Sequence, residues 1–380
     1  MTCIRRFAIL AALLALLPLL AGCFSPQSQE AMRVLSDIDA GSGPSDLKSM
    51  TPLPVRTTIT YDIAGRAYIA DLYHPQQPIG AGLVLVPGFT PHGKDDQRLV
   101  NLALSLSRAR FLVLVPDLRG PREMRVRLED SRGIADAAVH LAQMDLLRGQ
   151  QGVGVVAISY AAGLAILATM ESGARTPIRF LVSIGGYYDT TALATFVTTG
   201  RFRPSSGGRW QSRDPHPAAK WFFLAGNIDL LDDAGDRKTL LAIAERRMDK
   251  PDAPVADLAA RLGPEGRSLL DLLENADPDR VEALLRKLPD RIQAHLQRLS
   301  LKNHDLSHLA GRLLLVHGRE DSMIPYTESM ALASAVPGSQ LFLIDGFSHI
   351  DSDGVGFAGQ LQLIDAMQAL LERRIDGDGL

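Results

Sequence analysis

The chain has 380 residues, enough for one large α/β domain with an insertion or for two to three domains of average size. Its 40 basic and 43 acidic side chains leave a formal charge of −3, which excludes the strongly basic field that a nucleic-acid or polyanion partner requires. Only two cysteines are present, Cys3 and Cys23, both near the N-terminus, so no disulfide framework holds the body together.

Arg5 and Arg6 precede an apolar run from Phe7 to Ala21 that is too short to span a bilayer comfortably and is built like a secretory signal. The run ends Leu20-Ala21-Gly22-Cys23. This resembles the lipobox of bacterial lipoproteins, which implies removal of residues 1–22 and several acyl chains on Cys23 as the new N-terminus. It places the protein in the cell envelope, held to a membrane by lipid. Phe24 follows, where an aspartate would resemble the inner-membrane retention signal, so the outer membrane is the expected site in a Gram-negative source. Residues 23–53, rich in Ser, Pro, Gly and Asp with one short helix around Glu30 to Ile38, read as the tether.

Val55 to Ile63 and Ala67 to Tyr73 alternate apolar and polar side chains around Ala64-Gly65-Arg66, which predicts an antiparallel hairpin. Gly82 to Val86 is an apolar strand running into Pro87-Gly88-Phe89-Thr90. A helix face over Leu99, Val100, Leu102 and Leu106 follows, then the strand Phe111 to Val115 and a further helix over Ile134, Ala138, Leu141 and Met144. From Gly152 the chain reads as a buried strand that breaks at Ser159 before the helix-compatible run Leu164 to Met170. A serine on such a strand-turn-helix junction is a candidate nucleophile, or else the N-cap of an ordinary helix.

Ile178 to Ile184 is another strand, closing with Gly185-Gly186-Tyr187-Tyr188-Asp189. Residues 190–308 then read mainly as helices, at Lys238 to Met248, Val255 to Leu262, Gly266 to Leu273, Val281 to Leu288 and Ile292 to Leu299. This interval is an inserted cap. Strands resume at Arg312 to Val316 and Gln340 to Ile344, separated by a helix from Tyr326 to Ala335 and followed by an amphipathic helix over Leu361, Ile364, Met367 and Leu371. Strands alternating with helices imply a mostly parallel sheet covered on both faces.

Asp321 and His349 each follow one of the late strands and so belong to the same sheet edge as Ser159. A serine nucleophile needs a base within hydrogen-bond reach, and the base needs a third group to fix its tautomer. Asp189, Glu320 and Asp345 are alternative acids. Asp351 and Asp353 suit capping of the last helix, and His317 suits a structural role. His304 and His308 are spaced four apart but lack the glutamate and third ligand of a zinc site, and no glycine-rich phosphate loop is present. No cofactor is expected.

Three pieces together resemble the α/β-hydrolase superfamily: Ala157-Ile158-Ser159-Tyr160-Ala161 as the nucleophile elbow, Gly318-Arg319-Glu320-Asp321-Ser322-Met323-Ile324-Pro325 as the acid loop, and Gly346-Phe347-Ser348-His349 as the histidine loop. The resemblance implies an α/β-hydrolase core over residues 54–189 and 309–380, with 190–308 as the cap. It implies a Ser159–His349–Asp321 triad, an oxyanion hole from the backbone N–H groups of Phe89 and Tyr160, and cleavage of an ester, thioester or amide, carboxylesterase or lipase in kind. Thr90 and His92 are the alternative donors to Phe89. Two departures stand out: alanines at 157 and 161 where glycines are usual, and Pro87-Gly88 where many members carry His-Gly. They keep open the alternative of a catalytically silent binding or envelope-assembly lipoprotein. The partners expected are a small or lipid-like acyl substrate and the membrane.

Overall fold

The computed structural model describes residues 25–150, 152–174, 177–204, 207–349 and 354–374. The signal segment 1–22, Cys23, Asp351 and Asp353 lie outside them.

The central strands form from apolar runs buried on both faces, and the outer hairpin from alternating, largely exposed ones. They are β1 (Val55–Ile63), β2 (Arg66–His74), β3 (Ala81–Val86), β4 (Phe111–Pro116), β5 (Val153–Ile158) and β6 (Ile178–Ile184). A two-residue pair, β7 (Arg201–Phe202) and β8 (Gln211–Ser212), stands apart, and β9 (Leu313–Gly318) and β10 (Gln340–Ile344) complete the set. Eight of them make one sheet in the order β1-β2-β4-β3-β5-β6-β9-β10, antiparallel through β1, β2 and β4 and parallel from β4 onward.

The two-residue side-chain period divides each central strand between two cores. Val84, Val86, Leu112, Leu114, Leu313 and Leu315 pack on one face with the helices Glu129–Ala142 and Tyr160–Ala168. Leu83, Leu85, Val113, Val115, Leu314 and Val316 pack on the other with Gln97–Arg108 and Phe357–Leu371. The carboxyl ends of the parallel strands share one edge, and every loop of the site leaves from it.

Residues 26–50 are not a loose tether. Ser25 caps a helix, Pro26–Ala40, whose Ala31 and Val34 are fully buried in the second core. Its Asp37 is buried too, accepting from Ser105 Oγ at 2.6 Å and pairing with Lys48 at 2.8 Å. Glu30 is paired with Arg374, which also donates to the Ala109 carbonyl at 2.8 Å, just ahead of β4. A buried carboxylate satisfied from two other segments fixes this helix to the body, because leaving it unpaired would be costly.

Between β6 and β9 the chain forms the helices Thr190–Thr199, Ala219–Asn227, Ala234–Asp249, Pro264–Leu273 and Asp290–Leu299, with shorter turns between them. They bury a core of their own around Leu240, Ile243, Leu269, Leu272, Leu273 and Ile292. The leucine row 269, 270, 272 and 273 is therefore spent on packing the cap against itself. Among the described residues no helix is long and apolar enough to cross a membrane.

Candidate active site

β5 ends at Ile158 and a helix starts at Tyr160, with Ser159 alone between them. The turn is made by forcing Ser159 to φ 60°, ψ −136°, a region that L-residues avoid and that costs on the order of 1–3 kcal/mol. Ser159 N–H donates to Ile184 O at 2.7 Å, so the strained residue is clamped onto β6. Ala157 and Ala161, where the elbow departs from its usual glycines, are fully buried and accommodated in the first core. The close approach falls two residues later, at Gly163, where an added Cβ would stand 2.5 Å from the Tyr187 ring.

His349 and Asp321 reach the same point from the loops after β10 and β9. His349 Nε2 lies 2.9 Å from Ser159 Oγ and His349 Nδ1 lies 2.8 Å from Asp321 Oδ2. An ionised carboxylate can only accept, so Nδ1 carries the proton and Nε2 presents its lone pair to the serine hydroxyl. Asp321 is fully buried, and its Oδ1 accepts from the main-chain N–H groups of Met323 at 2.7 Å and Ile324 at 2.9 Å. Burial alone pushes its carboxyl up, but hydrogen bonds from His317 and His349 outweigh this and hold it well below the usual carboxylate range. Gly185, beside the pair, takes φ 60°, a conformation that glycine adopts without strain, and a Cβ there would only touch Asp321 Oδ2 and His349 Nδ1 at 3.4 Å.

Of the alternative acids, none meets His349. Asp189 caps the helix Thr190–Thr199 through Thr191 N–H and pairs with Lys302. Glu320 accepts from Gly346 N–H at 2.7 Å, and Asp345 pairs with Arg319 at 2.9 Å. His304 and His308 are turned to the Arg298 carbonyl and to Thr169 Oγ1 respectively, not to one another.

Tyr160 is the first residue of the helix after the elbow, and among the described residues its N–H donates to no protein acceptor. The N–H of Phe89 is likewise unspent, whereas that of Thr90 is taken by Pro121 O at 3.1 Å. The Phe89 loop lies against the nucleophile: a Cβ built on Gly88 would be 3.3 Å from that of Ser159. The Phe89 ring stacks on the Tyr160 ring at 4.0 Å and meets Phe222 of the cap at 5.7 Å.

Ser159 forms part of the wall of a narrow cavity of about 100 Å³ enclosed by Phe89, Tyr160, Leu193, Val197, Phe222, Phe223, Leu296 and Met323, among others. Two polar side chains on its wall are already engaged, Tyr187 Oη donating to Leu299 O at 3.2 Å and Thr190 Oγ1 to Leu296 O at 3.0 Å. Two more lining residues carry a buried oxygen without a partner among the described residues, Tyr160 Oη and Asn227 Oδ1, and the rest of the wall is largely hydrocarbon. The helices Thr190–Thr199 and Ala219–Asn227 supply much of this wall, and neither was singled out from the sequence. Thr and Val in the first, and the Trp-Phe-Phe run in the second, mask a helical period with strand-favouring residues.

Three further groups stand around the triad, of which the sequence signals only His317, as a structural residue. Arg213 donates from Nη1 to the main-chain oxygens of Arg319 and Asp321, pinning the acid loop to the segment after β8. Glu328, buried, accepts from Tyr188 N–H at 2.9 Å and Asp189 N–H at 2.7 Å, and burial pushes its carboxyl up to about 7 against the opposing pull of those bonds. His317 is fully buried beside Asp321.

A family model for the alpha/beta hydrolase fold matches residues 83–353. Among solved structures, a candidate hydrolase from Legionella pneumophila superposes with a TM-score of 0.56 at 13% identity, over 92% of this chain and 96% of that one. An α/β hydrolase from Penicillium sp. sh18 gives a TM-score of 0.47 at 12% identity, over 84% of this chain and 99% of that one. No curated protein sequence matches the chain.

Proposed function

We infer, from the premise that this chain belongs to the α/β-hydrolase fold family, that it is a serine hydrolase cleaving an ester, thioester or amide through an acyl-enzyme. The observation that carries this is the unbroken line of hydrogen bonds from Ser159 Oγ through His349 to Asp321, beside an apolar cavity. Ser159 Oγ attacks the carbonyl while His349 Nε2 takes its proton. His349 then gives that proton to the leaving group, and a water repeats the cycle to release the acid. Asp321 keeps Nδ1 protonated and stabilises the imidazolium. The free N–H groups of Tyr160 and Phe89 hold the oxyanion, each donor being worth about 2.7–4 kcal/mol in the transition state.

The largely hydrocarbon wall favours a carboxylesterase or lipase acting on a mainly apolar acyl group, with Tyr160 Oη and Asn227 Oδ1 the unpaired polar atoms on its lining residues. Lipid attachment at Cys23, and with it a place in the bacterial envelope, rests on Arg5-Arg6, the apolar run and Leu20-Ala21-Gly22-Cys23.

The test is fluorophosphonate labelling of the chain from Ser25 onward, which keeps the cap of the first helix. Adduct on Ser159, absent in Ser159→Ala, followed by turnover of p-nitrophenyl esters across a series of acyl lengths, is the expected result. A folded protein that takes no adduct, or full activity in Ser159→Ala, overturns the mechanism. Metabolic labelling with a palmitate analogue, abolished by Cys23→Ser, tests the anchor separately.

A further inference from the structure

His317, the next-to-last residue of β9, is fully buried and lies against the acid of the site. Its Nε2 is 2.9 Å from the Ile324 carbonyl and 3.3 Å from Asp321 Oδ2, the same oxygen that His349 meets. Its Nδ1 is 2.7 Å from Ser329 Oγ. A carbonyl only accepts, so Nε2 carries a proton; in the neutral ring Nδ1 is then the acceptor for the Ser329 hydroxyl.

Asp321 thus sits in a cage of four donors. Two main-chain N–H groups hold Oδ1, His349 Nδ1–H donates to Oδ2, and His317 Nε2–H, whose shorter bond is to the Ile324 carbonyl, stands 3.3 Å from that same oxygen. Three of the four come from the acid loop itself or from the strand that carries it; only His349 is brought in from elsewhere. We propose that His317 is a positioning residue for the reaction, a second imidazole that shares Asp321 Oδ2 with His349, aims the carboxylate, and limits how much of its charge His349 feels. The geometry needs no assumption about activity, whereas the catalytic consequence rests on the serine-hydrolase reading.

Without His317, Oδ2 is left to His349 alone. The unshared charge favours the His349 imidazolium, so His349 should release its proton at a higher pH and be an available base over a narrower range. The other charged groups facing the His317 ring are Asp321 on its own loop and Glu328 on the helix Thr327–Ala335, which is common to wild type and variants. The neighbouring strand β10 offers only Leu343 beside it.

The test is the titration of the histidine rings in the full chain, selectively ¹³C/¹⁵N-labelled and followed by NMR, with His349 identified by the loss of its signal in His349→Gln. In His317→Leu the His349 midpoint should rise by roughly half a pH unit or more. In His317→Gln, whose amide N–H can reach the same oxygen, it should return toward wild type. In the wild-type chain itself the His317 ring should carry its proton on Nε2 at pH 8. An unmoved His349 midpoint in a folded His317→Leu, or a His317 ring protonated on Nδ1 alone, overturns the proposal. The wild-type tautomer can overturn the proposal even where the leucine variant does not fold, because a ring protonated on Nδ1 alone offers Asp321 Oδ2 no donor. Fluorophosphonate labelling of the same samples reports on the hydrolase reading independently, because the ring titrations do not require turnover.

Discussion

Replacing Asp321 by asparagine changes one atom, and the geometry dictates which. Both Met323 N–H and Ile324 N–H donate to Oδ1, so the amide must put its carbonyl there and its NH₂ in the place of Oδ2. The NH₂ then faces the N–H groups of His349 and His317, donor against donor. His349 escapes by moving its proton to Nε2 and accepting on Nδ1, and a protonated Nε2 can no longer take a proton from Ser159 Oγ at 2.9 Å. A serine hydrolase locked in the wrong tautomer loses about 10⁴ in kcat, equivalent to about 5.4 kcal/mol at 1.36 kcal/mol per decade. Initial rates on p-nitrophenyl butyrate at saturating substrate measure the loss, and thermal unfolding of the variant guards against a trivial cause. A folded Asp321→Asn protein that keeps a tenth or more of wild-type kcat would refute the assignment of Asp321 as the orienting acid.

Ser159→Gly removes a Cβ from a backbone position that glycine tolerates, so it should raise the urea midpoint by an amount equivalent to about 1 kcal/mol while abolishing fluorophosphonate labelling; unchanged stability would mean that the turn stores no strain. Gly163→Val should cost about 2–3 kcal/mol, because its Cβ meets a Tyr187 ring already tied to the Leu299 carbonyl, and a neutral effect in chemical denaturation would contradict the packing. Glu328 has a folded-state pKa raised from 4.5 to about 7, so its contribution to stability is fully present below about 4.5 and is lost as pH rises through 7. Glu328→Gln should accordingly flatten the pH dependence of the unfolding free energy between these values, and denaturant titrations giving parallel curves for the two proteins would disprove the coupling.

Much of the site could be read from the chain because it depends on local signals in a fixed order. Ser159, Asp321 and His349 each follow an apolar run short enough to be a strand, and the alternation of strands with helices puts such positions on one edge of a parallel sheet. What was not legible depends on partners remote in sequence. The helix Pro26–Ala40 looks like linker because its inward face carries Asp37, whose polarity breaks the apolar stripe; Ser45, Lys48 and Ser105, none of them within it, make that carboxylate acceptable in a core. The cavity-lining helices of the cap were hidden for a different reason. Phe222 is set by its packing against Phe89, and the threonines of the first helix bond to carbonyls of helices, choices that local propensity does not record. His317 reads as the polar end of a strand, and nothing short of three dimensions sets its ring against Asp321.

The docking of the first helix also sets a direction. Glu30 and Arg374 meet beside Ala109, at the amino ends of the parallel strands, whereas Ser159, Asp321 and His349 stand at their carboxyl ends, a six-residue strand or about 20 Å away. The described chain therefore starts on the underside of the molecule. A lipid fixed to Cys23, two residues ahead of Ser25, would leave little slack for the body to turn over, and would hold the catalytic edge facing outward from the bilayer. Such an enzyme would graze on what diffuses past it in the surrounding compartment, and the lipids of the leaflet in which it is rooted would lie behind its back.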